Sequence, residues 1–281
     1  MSTQTVPAQP DLPFEGEILS PTIGLEIRGL RLDRPLQEPV LKEIWAAFLR
    51  HHVLVIRDQD LSPEQQIAFA RHMGEPDIYP FVPGIENYPF ITPVIKEAHE
   101  MQNFGGIWHT DTAYLERPPS ATMLLAREIP PKGGDTLFAS QVAAYEALSD
   151  GMKALLAPLR GFNTSEKANQ IRTNVSEKRK SETLTAVHPV VRTHPETGEK
   201  ALYVNSGHTV CFDGMTQAES TPLLEFLFRH QVQDAFTCRV RWSPGTLVIW
   251  DNRTSQHLPL NDYQGHRREM HRITLKGDIP F

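Results

Sequence analysis

Three side chains with metal-binding chemistry stand at very unequal spacing in this chain of 281 residues. His109 and Asp111 are separated by one residue, whereas His257 follows much later in the sequence. In an extended strand, side chains two residues apart share a face, so His109 and Asp111 are predicted to face one ion while Thr110 points away. Two imidazoles and one carboxylate on one side of non-haem Fe(II) leave the opposite positions open for other ligands. The spacing therefore predicts an iron-dependent oxygenase.

A buried strand and a turn are predicted to bring His257 to the same ion. The apolar run at 246–250 is typical of a buried strand, and 251–253 is typical of a turn leading into the histidine. However, His-x-Asp pairs arise by chance in a chain with twelve histidines. Two histidines and a carboxylate also bind zinc and activate water. A zinc-dependent hydrolase and a non-catalytic barrel that binds a small acid are therefore the alternatives.

Two arginines share one face at another predicted strand, 269–275, which Arg268 immediately precedes. Arg268 and Arg272 have the same parity, so both guanidinium groups project to one side. Each guanidinium is a planar fork that binds a carboxylate or sulfonate through two hydrogen bonds. Two such groups near a metal indicate two anionic ligands. The alternative is a solvated basic edge formed by Arg267, Arg268 and Arg272.

Further motifs accompany these residues over nearly the whole chain, from about Gly24 to Asp278. They are WHTD at 108–111, PP at 118–119, GGDT at 133–136, HPVVRTHP at 188–195, WDNR at 250–253 and MHR at 270–272. Together and in this order they resemble the taurine dioxygenase family of Fe(II)- and 2-oxoglutarate-dependent oxygenases. The resemblance implies an enzyme that uses O2 and 2-oxoglutarate as co-substrates.

The resemblance also implies roles for individual residues. His109, Asp111 and His257 match the iron-binding triad of the family. Thr136 and Arg268 match the pair that binds the distal carboxylate of 2-oxoglutarate, whose keto-acid end chelates the iron. The expected reaction is hydroxylation of a C–H bond with release of succinate and CO2. Asp111 favours hydroxylation over halogenation, because related halogenases carry a small residue at that position.

The substrate pocket is expected to differ from that of the taurine enzyme. Arg272 matches the residue that binds the sulfonate of taurine, which implies a small anionic substrate such as a sulfonate, a sulfate ester or a carboxylate. Tyr79 stands where the taurine enzyme has a histidine, and His208 stands where it has a phenylalanine. Phe162 is a further candidate for the pocket wall. Taurine itself is therefore not the expected substrate.

Composition limits the other classes of partner. The net charge of −6 and the pI near 6.1 give no concentrated basic surface for nucleic acid. No run approaches the roughly 20 apolar residues that span a bilayer, and the first residues lack the pattern of a signal peptide. We expect a cytoplasmic protein with neither a membrane nor a nucleic-acid partner. The family resemblance implies a homo-oligomer, either a dimer or a tetramer.

The distribution of helix and strand signals predicts a mainly β fold. Helices are predicted at 38–51, 62–73, 141–148, 151–159 and 216–230, and strands at 53–56, 121–126, 135–138, 246–250 and 269–275. No glycine-rich phosphate loop opens a helix, which argues against a doubly wound sheet. The pattern favours a double-stranded β-helix, or jelly roll, with peripheral helices.

The chain is predicted to form a single domain over 14–281, preceded by a flexible tail at 1–13. Within the domain, the polar stretch 163–185 shows weak apolar periodicity. Such a stretch is either a solvated surface loop or a lid that orders over the active site when substrate binds.

Overall fold

Two packed β-sheets form the centre of the computed structural model, which describes residues 14–103, 105–166 and 183–281. The strands are β1 (Glu15–Ile18), β2 (Leu25–Arg28), β3 (Val53–Ile56), β4 (Pro76–Asp77), β5 (Thr92–Lys96), β6 (Ala121–Glu128), β7 (Thr136–Ser140), β8 (Arg160–Thr164), β9 (Thr185–Pro189), β10 (Val191–Thr193), β11 (Lys200–Leu202), β12 (Thr209–Phe212), β13 (Thr237–Val240), β14 (Leu247–Asp251), β15 (Ser255–Pro259) and β16 (Arg268–Leu275). The helices are α1 (Glu38–His51), α2 (Pro63–Met73), α3 (Gln141–Glu146), α4 (Asp150–Leu156) and α5 (Gln217–His230).

The larger sheet has the strand order β1-β2-β3-β14-β6-β16-β4, and β5 pairs with the other part of β16. Its central strand β14 is antiparallel to both β3 and β6, and β6 is antiparallel to β16. The runs VLVI of β3 and LVIW of β14 are apolar throughout and fully buried. Strands covered on both faces need apolar residues at every position, so these runs belong at the centre of the sheet.

Each face of the larger sheet packs against a different layer. On one face, residues such as Leu54 and Ile249 pack against Phe48 of α1 and Phe69 of α2. On the other face, residues such as Val55 and Val248 pack against Phe138 of β7, in the smaller sheet of order β13-β7-β15. The fold is therefore a double-stranded β-helix with helices outside, as the sequence predicted.

The helix ends follow the capping signals in the sequence. The Ser62 hydroxyl accepts the backbone N–H of Gln65, whose side chain accepts the Ser62 N–H, so α2 begins with a complete capping box. Thr216 and Glu219 form the same motif at the start of α5. Helix α1 has the predicted bounds, whereas α3 and α4 end two or three residues earlier than predicted.

Some predictions concern residues that the structure does not describe. The tail at 1–13 lies outside the described residues, and so does most of the predicted lid, residues 167–182. The lid and the domain limits therefore stay predictions. Among the described residues, no helix combines the length and the apolar character that crossing a bilayer requires.

Candidate active site

Three buried ligand groups converge in a cavity between the two sheets. The ligand atoms offered by His109, Asp111 and His257 all lie within 4.8 Å of one another. The Nε2 atom of His109 is 3.8 Å from Oδ1 of Asp111, and the two imidazole centroids are 4.2 Å apart. Metal–ligand bonds of about 2.1 Å would separate neighbouring donors around one ion by roughly 3 to 4 Å. The spacing of the three groups is therefore close to that of a single metal site.

A short backbone contact joins the two remote segments that carry these ligands. The His109 N–H donates to the His257 carbonyl at 3.1 Å, and the His257 N–H donates to the His109 carbonyl at 2.9 Å. The predicted extended strand over 109–111 is wrong, because pairing stops after this one bridge. Asp111 begins a turn in which Thr112 has a φ of 46°. The turn, rather than strand pleating, brings the carboxylate to the imidazoles.

Burial and hydrogen bonding set the protonation of the two imidazoles. Burial lowers the pKa of His109, and burial together with His109 lowers the pKa of His257 to about 3. The Nδ1 atom of His109 lies 2.7 Å from the Ile107 carbonyl oxygen. A neutral imidazole can make this contact only by donating from Nδ1, so Nε2 keeps its lone pair for a metal. Both rings are therefore neutral at physiological pH.

For the carboxylate of Asp111, the surrounding groups favour the charged form more strongly than burial opposes it. Burial alone would raise the pKa of Asp111, but the neighbouring His257, Arg272 and His109 outweigh that effect and the pKa is lowered. An ionised carboxylate beside two neutral imidazoles binds a divalent cation without first releasing a proton. The charge state of the three groups therefore suits a metal ion.

Both predicted anion-binding arginines project into the cavity from β16. Arg268 and Arg272 line it, and their relative exposures are 6% and 5%. The alternative of a solvated basic edge is therefore wrong for these two residues. It describes Arg267 instead, which has the opposite parity and pairs with three surface carboxylates. His271 also has the opposite parity and contacts Arg127 outside the cavity.

Arg268 of β16 lies close to two other side chains, Trp242 after β13 and Thr136 of β7. Its guanidinium carbon lies 5.5 Å from the ring centroid of Trp242, and the Trp242 indole N–H donates to the Thr136 hydroxyl at 3.0 Å. Because Thr136 accepts this bond, its own hydroxyl hydrogen is available to another acceptor. The Nε and Nη2 atoms of Arg268 are buried and have no hydrogen-bond partner among the described residues. An anion between Arg268 and Thr136 would satisfy these donors.

Arg272 stands nearer to the triad and is held by an aromatic ring. Its guanidinium carbon lies 3.9 Å from the ring centroid of Tyr79, a cation–π distance. Burial opposes the charge on Arg272, but Tyr79 and Asp111 outweigh it and the pKa of Arg272 is raised. The arginine therefore remains charged beside the candidate metal site. Tyr79 therefore lies next to this arginine, although it is not among the described residues that line the cavity, and its role in the substrate pocket stays a prediction.

His208 and Phe162, the other two predicted substrate residues, lie in different environments. The His208 ring is 4.9 Å from that of Tyr114 and 6.0 Å from that of His109, with edge-to-face geometry in both cases. His208 thus lies beside the triad. Phe162 is half-buried in β8 between β9 and β12, and it is not among the described residues that line the cavity.

Comparison with known proteins identifies the family. A family model described as "Taurine catabolism dioxygenase TauD, TfdA family" matches residues 15–274. The chain belongs to this family. The resemblance inferred from the sequence motifs is therefore confirmed, and the protein is a dioxygenase.

Relatives of this TauD/TfdA chain match it along nearly their whole length. An alpha-ketoglutarate-dependent sulfate ester dioxygenase of Pseudomonas putida is 35% identical over 92% of this chain and 88% of its own. A crystal structure of a putative alpha-ketoglutarate-dependent taurine dioxygenase from Burkholderia xenovorans has a TM-score of 0.82 and 36% identity, covering 95% of this chain and 94% of its own. The crystal structure of AAD-2 in complex with Mn(II) and N-oxalylglycine has a TM-score of 0.81 and 29% identity, covering 95% and 98%.

Several residues around the site of this TauD/TfdA chain were not predicted from its sequence. Trp242 and Trp250 both line the cavity. Trp250 belongs to the WDNR motif, which gave a signal but no role. Trp242 follows β13 and reaches Thr136 because β13 pairs with β7. That contact depends on long-range pairing, so no local pattern around Trp242 indicated it.

Two glycines allow the close packing around His109. A Cβ at Gly105 would lie 2.8 Å from Cε1 of His109, and a Cβ at Gly207 would lie 2.9 Å from its Cβ. Gly105 also has a φ of +79°, which favours glycine. Both positions therefore have a steric reason to be glycine.

Proposed function

We propose that this dioxygenase binds Fe(II) through His109, Asp111 and His257, uses 2-oxoglutarate and O2, and hydroxylates a C–H bond of a small anionic substrate. Succinate and CO2 are the expected co-products. One observation carries the proposal: a buried cluster of three metal-ligand groups shares a cavity with Arg268, whose Nε and Nη2 atoms have no hydrogen-bond partner among the described residues. A hydrolase that binds zinc and water has no use for this second feature.

The donor set fits a ferrous ion. Two imidazole nitrogens and one carboxylate oxygen are the ligands of the facial triad of non-haem Fe(II) oxygenases, which leaves positions open for further ligands. When bound, Fe(II) would activate O2, the oxidant, with 2-oxoglutarate as the two-electron co-reductant that becomes succinate and CO2, while the protein supplies positioning. The bound Mn(II) and N-oxalylglycine of the AAD-2 relative support a site for a divalent metal and a dicarboxylate in this fold.

Arg268 and Thr136 are proposed to bind the distal carboxylate of 2-oxoglutarate. The guanidinium offers Nε and Nη2 as a fork, the geometry that holds a carboxylate through two hydrogen bonds. The Thr136 hydroxyl adds a third donor, since the Trp242 N–H already occupies it as an acceptor. The Trp242 ring limits access of water to these bonds, which strengthens them.

Arg272 is proposed to bind the anionic group of the substrate near the metal. Tyr79 lies against the guanidinium and restricts its orientation, and His208 closes the side of the pocket next to His109. Phe162 is retained as a candidate for the outer wall. An anion held on Arg272 brings the adjacent carbon close to the metal, and positioning of this kind selects the C–H bond that reacts.

The substrate class that we propose is a sulfate ester, a sulfonate or a carboxylate. The similarity to the sulfate ester dioxygenase of Pseudomonas putida supports the first of these. Hydroxylation of the carbon that bears a sulfate or sulfonate gives a product that collapses to an aldehyde and releases the inorganic anion. The proposal extends to a dimer or tetramer in solution, which light scattering of the purified protein would test.

A substrate panel with succinate as the readout tests the proposed function. The enzyme reconstituted with Fe(II) is given 2-oxoglutarate, O2 and in turn alkyl sulfates, alkyl sulfonates, phosphonates and carboxylates. We expect succinate release that depends on one anionic class and is absent in Asp111→Ala. Hydrolysis by the zinc-loaded protein without 2-oxoglutarate would favour a hydrolase, and binding without succinate from any compound would favour a non-catalytic barrel.

A further inference from the structure

A chain of buried hydrogen bonds leads from the WDNR motif to the carboxylate of the triad. The Trp250 indole N–H donates to Oδ1 of Asn252 at 3.0 Å, and Nδ2 of Asn252 donates to the Thr122 hydroxyl at 2.9 Å. The Thr122 hydroxyl donates to Oδ2 of Asp111 at 2.6 Å. All four residues are buried, and Thr122 and Asn252 are 0% exposed. Water therefore has little opportunity to replace these bonds.

The chemistry of the donors fixes the direction of this series of hydrogen bonds. An indole N–H can only donate, so the amide oxygen of Asn252 must face Trp250 and its NH2 group must face Thr122. Thr122 then accepts from Asn252 and has its single hydrogen left for Asp111. A neutral hydroxyl donating to a carboxylate at this distance is a charge-assisted hydrogen bond, among the stronger kinds in proteins.

The backbone fixes the same residues in place. Thr122 of β6 and Trp250 of β14 are direct partners in the antiparallel ladder. The Asn252 N–H donates to the Ser120 carbonyl at 2.9 Å, so the turn after β14 is tied to the segment before β6. The three side chains therefore stand on the rigid centre of the larger sheet.

The two oxygens of Asp111 consequently have different surroundings. Oδ1 lies 3.8 Å from Nε2 of His109, the ring nitrogen that is free to bind a metal, whereas Oδ2 accepts the hydrogen bond from Thr122. The hydrogen bond from Thr122 draws electron density from Oδ2 and fixes the orientation of the carboxylate, so Oδ1 is the better donor for an ion. Rotating the carboxylate so that Oδ2 faces the ion instead would leave the Thr122 hydroxyl without its buried acceptor, which is unfavourable.

We propose that Thr122, Asn252 and Trp250 are positioning residues that hold Asp111 as a metal ligand through one oxygen only. The inference rests on the metal site of the proposed function. Its consequence is that the carboxylate occupies one coordination position and leaves the positions opposite the triad for 2-oxoglutarate and O2. The WDNR motif thereby acquires a functional role through Trp250 and Asn252, while its Asp251 and Arg253 form a buried ion pair of their own.

Metal binding without turnover tests this inference. Thr122→Val removes the hydroxyl at nearly constant volume, and Thr122→Ser keeps the hydroxyl while removing a methyl group. The affinity for Mn(II) is measured by calorimetry with neither 2-oxoglutarate nor substrate present. We expect Thr122→Val to weaken Mn(II) binding by about 10-fold to 100-fold, the usual effect of losing a partner of a metal ligand. Thr122→Ser should remain close to the parent protein.

The visible spectrum of the Co(II)-loaded protein gives a second readout, because it reports coordination number and geometry. We expect the spectrum of Thr122→Val to differ from that of the parent protein, and the spectrum of Thr122→Ser to match it. Trp250→Phe removes the first N–H of this hydrogen-bond chain and also makes the ring that packs against His257 smaller. It should weaken Mn(II) binding in the same direction but less, and it replaces Thr122→Val if that variant does not fold.

The outcomes separate the inference from the proposed function. Unchanged Mn(II) affinity and an unchanged Co(II) spectrum in Thr122→Val, or in Trp250→Phe where it is the substitute, would overturn the positioning role. Equal losses in Thr122→Val and Thr122→Ser would overturn it as well, since packing and not the hydroxyl would then matter. If the parent protein itself binds neither metal, the proposed function fails instead.

Discussion

The two ends of the active-site cavity differ in how far the folded chain satisfies its own polar groups. At the metal end, Asp111 accepts a hydrogen bond from Thr122 and His109 donates one to a backbone carbonyl, so that of the three ligand residues His257 alone has a buried ring nitrogen, Nδ1, without a partner among the described residues. At the other end, Arg268 has two buried nitrogens without a partner among the described residues. Lys96, opposite Arg268 in the β5–β16 pair, is also buried, and its Nζ has no hydrogen-bond partner there.

This difference shows which part of the site the fold builds and which part a ligand completes. Burying a cation without a partner is unfavourable, because the interior does not replace the water that solvates it. Lys96 has a partial substitute in the ring of Tyr263, whose centroid is 4.5 Å from Nζ. The metal end is therefore largely organised in advance, and the arginine end holds buried positive charge that the chain compensates only in part and that the proposed dicarboxylate would neutralise.

Removing a ligand at the organised end should have the largest effect. Asp111→Ala eliminates the charged member of the triad, so metal binding and substrate-dependent succinate release should both fall to background, a loss of about 1000-fold or more. Metal content and succinate are measured on the same samples. His271→Ala is the matched control, since His271 faces away from the cavity, and it should retain both properties.

Replacing the two arginines one at a time should show which of the two anions each arginine binds. Arg268→Met loses charged hydrogen bonds worth about 1.5 to 3 kcal/mol. The KM for 2-oxoglutarate should therefore rise by about 10-fold to 100-fold, with little change in the KM for the substrate. Arg272→Met should do the reverse. Steady-state kinetics with each component varied separately provides the measurement. Equal changes in both KM values for each variant would mean that the roles are wrongly assigned.

Ligand binding at the uncompensated end should stabilise the whole protein. With Mn(II) present, 2-oxoglutarate at 100 times its Kd should add about 2.7 kcal/mol. For a chain of this size that corresponds to a rise in Tm of about 5 °C. Thermal denaturation monitored by circular dichroism measures the shift. The same concentration should give little shift in Arg268→Met, and a full shift in that variant would contradict the comparison between the two ends.

Replacing Lys96, the second buried cation, should give the smallest effect. Unlike most substitutions, it should raise the free energy of unfolding. Lys96→Met removes the ammonium group but keeps a long apolar side chain, so the unfolding free energy of the ligand-free protein should rise by about 1 to 2 kcal/mol. Lys276→Met is the control, because Lys276 is exposed and its pairing with Glu75 at the surface contributes little. A lower Tm for Lys96→Met than for the parent would show that this charge is already compensated.

The sequence predicted those features that depend on local pattern or on the type of side chain. The apolar runs of β3 and β14, the capping box at Ser62 and the shared parity of Arg268 and Arg272 all have local signals, and the structure confirms them. The grouping of His109, Asp111 and His257 was inferred from ligand chemistry, and these side chains do converge.

Other features that depend on long-range contacts were not predicted. The predicted strand conformation of 109–111 was wrong, because a strand pattern in the sequence does not reveal that pairing ends after one residue. Trp242 and Thr122 reach the site only through the pairing of β13 with β7 and of β6 with β14. Nothing in the residues around Thr122 distinguishes it from any other buried strand threonine.

The most direct test of the central claim is an anaerobic titration of the metal-free protein with Fe(II) and 2-oxoglutarate, followed by visible absorption. The account predicts a weak band that needs both components, disappears in Asp111→Ala and requires more 2-oxoglutarate in Arg268→Met. If saturating amounts of both give no band, and no compound of the anionic panel then yields succinate, the three ligands and the arginine do not form an Fe(II)- and 2-oxoglutarate-dependent site.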